Sequence, residues 1–355
     1  MRGKYQLGDI ERDFVSFRTT NEWSENLPNT GTDMKIFSLD QIETILTELD
    51  LLPAIEEGFR QYSAGQAVVP PVGELLLEKG EVHIKYGYLK GGDYYIIKAA
   101  SGFYGNAQLG LPSSSGLMLL FSQDTGQPEA ILLDEGHLTD IRTAAAGAIT
   151  AKYLAPTKVE RIGIAGTGIQ ARLQLQYLAD VTSCRNVLVW GRGEPQLNSY
   201  RTKMTPLGFQ VESTLQSSDL LKTCNLIVTA TPATEPLLAA AHLQPGTHIT
   251  AVGSDTPHKQ ELDAHILAQA DLVVADSIAQ CLERGEIHQA LKAGLLTEDR
   301  LVELGNVISG DAPGRTNDTQ ITVADLTGVA VQDICIAAAV VKMLFQSQLI
   351  PPGKD

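Results

Sequence analysis

The sequence predicts an α/β protein in which a doubly wound parallel sheet of the Rossmann type is joined to a strand-rich domain. From residue 160 to about 275, short apolar strands alternate with helical stretches, which indicates a parallel sheet covered on both faces. A glycine-rich turn, G-T-G-I-Q-A from Gly166, directly follows the first of these strands. Before them, residues 67–135 form alternating segments separated by turns, which is typical of antiparallel hairpins.

Composition and spacing exclude several classes of function. The 355 residues carry a formal net charge of −15, so no basic nucleic-acid-binding face is expected. The longest apolar run, 334–341, falls far short of the ~20 residues that span a bilayer, and no secretory segment follows Met1. The four cysteines show no C-x-x-C spacing and the seven histidines no metal-ligand spacing. We expect a cytoplasmic protein with reduced thiols and no metal, nucleic-acid or membrane partner.

The elements are predicted in chain order as follows. Residues 1–33 show no sustained period and are predicted to be an N-terminal extension. A short strand from Lys35 precedes a helix that Ser38 caps and that runs to Glu57. Hairpins follow at 81–98 and 116–133, and a helix runs from Arg142 to Leu154. The parallel strands are predicted at 161–165, 186–190, 226–230, 248–252 and 271–275, and a last helix at roughly 329–348.

The glycine-rich turn has the context of a dinucleotide-binding fingerprint, since it follows a strand and opens a helix. Gly166 permits the tight turn, Gly168 lets the backbone approach a pyrophosphate, and Ala171 keeps the helix close to the sheet. The helix N-terminus then offers N–H donors and partial positive charge to the phosphates. A plain β–α turn with incidental glycines is the alternative interpretation.

The next strand bears on the choice of coenzyme. An acidic residue at its end would hold the ribose 2′-hydroxyl and favour NAD, but Gly191 and Arg192 follow Trp190. Because a guanidinium suits a 2′-phosphate, NADP(H) is slightly favoured within an NAD(P) site. A solvated turn arginine would leave the choice open.

Five separated motifs stand in the order found in one known family. They are L-T-D-I-R-T-A-A from Leu138, G-T-G-I-Q from Gly166, T-A-T-P-A-T-E-P from Thr229, A-V-G-S-D-T-P-H-K-Q-E-L-D from Ala251 and V-A-D-L-T-G-V-A-V-Q-D from Val323. In these motifs the chain resembles the ornithine cyclodeaminase/μ-crystallin family over about residues 34–350. That family contains cyclodeaminases, ketimine reductases, amino-acid dehydrogenases and a hydroxyproline dehydratase.

The resemblance implies a domain organisation. Residues 143–325 would form the Rossmann NAD(P)-binding domain, and residues 34–142 together with 326–355 would form a substrate-binding and dimerisation domain. The resemblance also implies a homodimer formed through the strand-rich domain.

The resemblance further implies site residues. Lys98, Arg142 and Thr327 would bind an amino or imino acid, with the Arg142 guanidinium clamping its carboxylate. Asp255 and Lys98 would be catalytic, with Asp255 handling the amine proton. The implied cofactor-binding residues are Ser113, Thr143, Gly166, Thr167, Gly168, Ile169, Gln170, Gly191, Arg192, Thr231, Val252, Gly253, Ser254, Lys259 and Leu326. The alternatives are a solvated Lys98, an ion pair between Arg142 and Asp140, and a helix cap at Asp255.

Two departures from the family pattern bear on the substrate. Where many members have an arginine after V-x-P-x, this chain has V-P-P-V-G from Val69. Where ornithine cyclodeaminases have a glutamate for the distal ammonium, thirteen residues before Lys98, it has Lys85. A lysine there would repel ornithine and could instead complete the clamp or bind a second carboxylate.

These residues support a first hypothesis, an NAD(P)-dependent enzyme that transfers a hydride at the α-carbon of a small imino or amino acid. The substrate would be a cyclic, small neutral or dicarboxylic imino acid. An ornithine cyclodeaminase is the alternative, and a cofactor- or ligand-binding protein without activity is the second.

Overall fold

The strand-rich region forms a seven-stranded sheet in the computed structural model, which describes residues 34–349. Its strands are β1 (Lys35–Phe37), β2 (Ala67–Val68), β3 (Gly73–Leu77), β4 (Gly80–Leu89), β5 (Tyr94–Gly102), β6 (Ser114–Ser122) and β7 (Pro128–Leu132). They follow the order β1-β7-β6-β5-β4-β2, with β3 paired to β4. The predicted hairpins correspond to β4–β5 and β6–β7, and the predicted extension lies outside the described residues.

The second sheet has eight strands, and all its neighbouring pairs are parallel. Its strands are β8 (Ile162–Ala165), β9 (Asn186–Trp190), β10 (Gln210–Thr214), β11 (Leu226–Thr229), β12 (His248–Ala251), β13 (Leu272–Ala275), β14 (Leu301–Glu303) and β15 (Thr322–Asp325). The order is β10-β9-β8-β11-β12-β15-β13-β14. The sequence did not predict β10, β14 or β15, because β10 is a polar edge strand and the other two follow residue 275, where the predicted alternation of strands and helices ends.

The helices correct two predicted boundaries. They are α1 (Leu39–Leu46), α2 (Leu52–Ser63), α3 (His137–Leu154), α4 (Ile169–Leu178), α5 (Glu194–Met204), α6 (Ser218–Thr223), α7 (Ala264–Gln269), α8 (Ile278–Cys281), α9 (Gly285–Lys292), α10 (Leu304–Ser309) and α11 (Ala330–Leu349). The predicted helix to Glu57 is two helices, because Pro53 suits the first turn of a new helix. Helix α3 starts at His137, five residues earlier than predicted, after a left-handed Gly136.

The main apolar core lies where the first sheet, α2, α3 and α11 meet. Helix α11 is long and apolar enough to cross a membrane, but 61% of its apolar segment, Ala330–Ser347, is buried within the fold. Its apolar residues are therefore accounted for by core packing. The domain division stays a prediction, since its boundary at 142/143 falls inside α3, which packs on both α4 and α11.

Candidate active site

A crevice opens where the strand order reverses, between β8 and β11. Strands β9 and β10 lie on one side of this point and β12 on the other, so the carboxyl ends of β8 and β11 border a cavity of about 440 Å³. Such switch points bind ligands in open α/β sheets. Six predicted cofactor residues line it: Gly166, Thr167, Gly168, Gly191, Arg192 and Thr231.

The glycines of this crevice fit a dinucleotide. Gly166 has φ +123°, and an added Cβ would lie 2.8 Å from the Ala230 carbonyl oxygen, so a side chain is excluded there. At Gly168 an added Cβ would meet nothing within 4 Å, although this residue caps α4 at its N-terminus. The backbone therefore leaves open space at the position where a pyrophosphate would approach the helix. Arg192 is exposed and makes no hydrogen bond or ion pair with the described residues.

A second cavity, of about 270 Å³, lies between the two sheets. It collects predicted residues from both: Lys85, Lys98, Ser113, Arg142, Thr143, Ile169, Gln170, Val252, Asp255, Leu326 and Thr327 all line it. Ile169 and Gln170 directly follow Gly168, so this cavity adjoins the glycine-rich turn. Residues predicted to bind the cofactor and residues predicted to bind the substrate thus line the same cavity.

Three buried cations line this cavity. Lys85 and Lys98 are cross-strand partners in β4 and β5, so both side chains stand on the same face of the sheet. Lys98 Nζ lies 2.9 Å from Asp333 Oδ1, and Arg142 Nε lies 3.0 Å from the same oxygen. Lys85 Nζ donates to the carbonyl oxygens of Thr327 and Gly328 at 3.0 and 2.6 Å. Two of the three cations therefore share one carboxylate and the third has only backbone carbonyl partners, which suits an anionic ligand.

Burial shifts the titration of these groups. It lowers the pKa of Lys85 to about 7, with the charges of Lys98 and Arg142 acting in the same direction. Burial also lowers the pKa of Lys98 to about 8, although Asp333 counteracts it. For Asp333 itself, burial favours the neutral form, but Arg142 and Lys98 outweigh it and hold the pKa below its usual value.

Asp255 also lines this cavity and is paired with a lysine. Lys259 Nζ donates to Asp255 Oδ1 at 2.8 Å and lies 3.2 Å from Glu81 Oε1. Burial acts to raise the pKa of Asp255, but the charge and hydrogen bond of Lys259 reverse this and leave the pKa lowered. Asp255 is therefore an ionised carboxylate that a substrate cation or amine can approach.

Sequence comparison shows the family. A model of the ornithine cyclodeaminase/mu-crystallin family matches residues 32–348. The chain belongs to this family. An uncharacterized cyclodeaminase of Sinorhizobium fredii is 41% identical over 310 residues, which are 86% of this chain and 94% of that one.

Solved structures extend the relationship. An archaeal alanine dehydrogenase dimer with bound NAD has a TM-score of 0.82 at 32% identity, covering 91% of this chain and 99% of its own. Δ(1)-pyrroline-2-carboxylate reductase of Thermococcus litoralis, with NADH and L-proline, has a TM-score of 0.83 at 27% identity, with coverages of 88% and 98%. Iminosuccinate reductase of Paracoccus denitrificans, with NAD⁺, has a TM-score of 0.81 at 32% identity, with coverages of 89% and 98%. The predicted family, fold class and nicotinamide-dependent enzyme class are confirmed.

Three residues that were predicted to bind the cofactor, Gly253, Ser254 and Lys259, line neither cavity. Gly253 N–H donates to Glu261 Oε2 at 3.0 Å, Ser254 is buried and donates to the Lys259 carbonyl, and Lys259 supports Asp255. The alternatives weighed for the site residues do not hold. Arg142 pairs with Asp333 and not with Asp140, Lys98 is 2% exposed, and no described helix begins at Asp255.

Sequence analysis missed four residues that shape the site. Asp333 balances the cations; Asp276 accepts from Thr327 Oγ1 and the Gly328 N–H; Glu261 accepts from Thr231; and His83 lines the cavity. The sequence did contain a feature that could have identified two of them: Asp276 directly follows an apolar strand, and Asp333 is an acid within an apolar helix. Arg284 and Glu286 are also buried near the site: Arg284 donates to the Asp255 carbonyl, and Glu286 accepts from the backbone N–H groups of residues 261 and 262.

Proposed function

We propose that the protein transfers a hydride between NAD(P) and the α-carbon of a small α-imino or α-amino acid. The observation that carries this proposal is the cavity that adjoins the glycine-rich turn, whose lining contains both three buried cations and the Asp255 carboxylate. An α-amino or α-imino acid has the complementary polarity, since its carboxylate and its nitrogen flank the α-carbon.

Each residue then has a task. Lys98 and Arg142 hold the substrate carboxylate, and Lys85 completes this clamp beside the Thr327 and Gly328 carbonyls. Asp255 faces the substrate nitrogen and stabilises positive charge there. A bound nicotinamide supplies or accepts the hydride; Thr143, Ile169 and Val252 form the wall beside which it would lie.

The placement of Lys85 bears on ornithine. Its ammonium is held by the Thr327 and Gly328 carbonyl oxygens. A lysine therefore occupies the position where an acid would be needed to bind the distal ammonium of ornithine. Glu81 also lines the cavity, but Lys259 pairs with its carboxylate. We therefore propose that the protein reduces an imino acid, or oxidises the matching amino acid, and keep cyclodeamination of ornithine as the alternative.

The coenzyme proposal rests on Arg192. Its exposed guanidinium is open to a 2′-phosphate at the rim of the dinucleotide crevice, which favours NADP(H). Glu235 lines the same crevice and could hold a 2′-hydroxyl, so preference for NADH is the alternative result.

We further propose a homodimer formed through the outer face of the seven-stranded sheet. Residues of this face alternate with the buried ones and are also apolar, among them Ile97 and Leu119, which pair in the register. Tyr95 and Phe121 stack on it at 4.9 Å. An antiparallel sheet with one solvated face has polar residues there, so this face suits a second copy.

The test is coenzyme absorbance with a panel of cyclic, neutral and dicarboxylic imino acids and the matching amino acids. We expect net NAD(P)H oxidation with an imino acid, faster with NADPH than with NADH, and selective loss of the NADPH reaction in Arg192→Ala. Ornithine converted to proline and ammonia without net coenzyme change would establish the cyclodeaminase instead. Coenzyme binding with no turnover of any compound would favour the non-enzymatic alternative.

A further inference from the structure

His83 stands in the substrate cavity but had no assigned role. It lies on β4 two residues before Lys85, so both side chains are on the same face, with Cα atoms ~6.6 Å apart. Its cross-strand partner on β5 is Ala100, whose small side chain leaves room beside the ring. The same cavity contains Asp255.

A carboxylate orients the His83 ring. Glu74 on β3 is the cross-strand partner of His83, and its Oε1 lies 3.1 Å from His83 Nε2. Because an ionised carboxylate only accepts hydrogen bonds, Nε2 carries the proton and Nδ1 keeps its lone pair. Nδ1 has no hydrogen-bond partner in the described part of the chain. Arg284 Nη1 lies 3.9 Å from the same Glu74 oxygen and helps to fix it.

Asp255 is not suited to donate the proton that the substrate nitrogen needs. Lys259 donates to the Asp255 carboxylate and keeps its pKa low, so Asp255 is ionised near neutral pH and has no proton to donate. An imidazole can take up and return a proton in that range. Burial lowers the pKa of His83, as does Lys85, whereas Asp255, Glu81 and Glu74 act to raise it.

We propose that His83, oriented by Glu74, exchanges the proton with the substrate nitrogen, while Asp255 stabilises the positive charge on that nitrogen. This rests on the proposed function. In the reductive direction His83 first takes a proton from solvent on Nδ1 and becomes an imidazolium; this Nδ1–H bond then breaks as an N–H bond forms on the imine nitrogen. The α-carbon accepts the two electrons and the proton of a hydride from NAD(P)H, which is oxidised to NAD(P)⁺. The product is the amine, and neutral His83 regains a proton from solvent.

Chemical rescue tests this role. We expect His83→Ala to lower kcat by about 100-fold or more and imidazole to restore it in a dose-dependent way, with the coenzyme Kd unchanged. His265→Ala is the matched control, because His265 also pairs with a carboxylate, Asp263, but lies at the surface, and it should retain wild-type kcat. Activity of His83→Ala within about 3-fold of wild type, or a large loss that no imidazole restores in a folded protein, would overturn the proposal.

A second variant covers the case in which His83→Ala does not fold. Glu74→Gln replaces an acceptor with an amide that can donate to Nε2 and so favours the other tautomer. We expect about a tenfold lower kcat and a displaced pH profile, with coenzyme KM unchanged; an unchanged kcat and pH profile would overturn the role of His83. Wild-type activity is measured first, since absence of any imino-acid turnover refutes the proposed function itself, whereas normal turnover with indifferent variants refutes only the His83 proposal.

Discussion

At the scale of single residues, Asp333 determines how many charges the clamp can hold. Lys98 and Arg142 both contact Asp333 Oδ1, and its second oxygen has no hydrogen-bond donor among the described residues. With Lys85 ionised, the four side chains carry a net charge of two positive units. A bound carboxylate reduces this excess, so ligand binding and lysine protonation are coupled.

This coupling predicts a pH dependence of carboxylate binding. The pKa values of Lys85 and Lys98, lowered by burial to about 7 and about 8, mean that both ammonium groups lose protons as pH rises from 6 to 9. Affinity for an anion is therefore greatest at the acidic end and falls with rising pH. We expect the Kd of a non-reacting carboxylate such as pyrrole-2-carboxylate to rise by about tenfold or more over this range.

Isothermal titration at constant ionic strength measures this dependence. Lys85→Arg is the matched variant, because arginine stays charged throughout the range, and it should show a shallower rise. A Kd that does not change between pH 6 and 9 in the wild type would show that neither lysine meets the carboxylate.

At the scale of elements, α3 and α4 join the clamp to the coenzyme turn. Gln170 on α4 donates to Asp140 Oδ1 at 2.8 Å, and Gln174 donates to the Thr143 carbonyl at 2.9 Å. Both acceptors flank Arg142 on α3. The helix that presents the guanidinium is thereby fixed against the helix whose N-terminus would meet the phosphates.

A substitution at the N-terminus of α4 is predicted to weaken coenzyme binding without impairing folding. Gly168→Val should fold, because the backbone φ of −72° suits any residue and an added Cβ meets nothing within 4 Å. Its side chain would nevertheless occupy the space that the pyrophosphate needs. We expect a change in Tm of no more than a few degrees, together with a Kd for NAD(P)H weakened by about 100-fold, measured by coenzyme fluorescence.

A contrasting variant is available in the same turn. Gly166→Val should also reduce Tm, since Gly166 has φ +123° and its Cβ would press on the Ala230 carbonyl. Unchanged coenzyme affinity in folded Gly168→Val would refute the dinucleotide site.

At the scale of the whole molecule, local features were predictable and distant contacts were not. The glycine-rich turn and the two hairpins depend on neighbouring residues, so their residue types indicate them directly. The partner of Lys98 is 235 residues away, and no local pattern selects Asp333 from the other acids. His83 looked unremarkable for the same reason, because only β3 pairing brings Glu74 to it and only the second sheet brings Asp255 into the same cavity.

The outer face of the seven-stranded sheet predicts how two copies assemble. Lys98 and Met118 are cross-strand partners on the inner face, so the next pair, Ile97 and Leu119, points outward. We expect a dimer by sedimentation velocity and a monomer for Leu119→Lys, because a lysine opposite its own copy would bury charge in an apolar interface. Leu207→Lys makes the same change at an exposed site in the parallel-sheet region and should stay dimeric. Dimers that survive Leu119→Lys, or a monomeric wild type, would contradict assembly through this face.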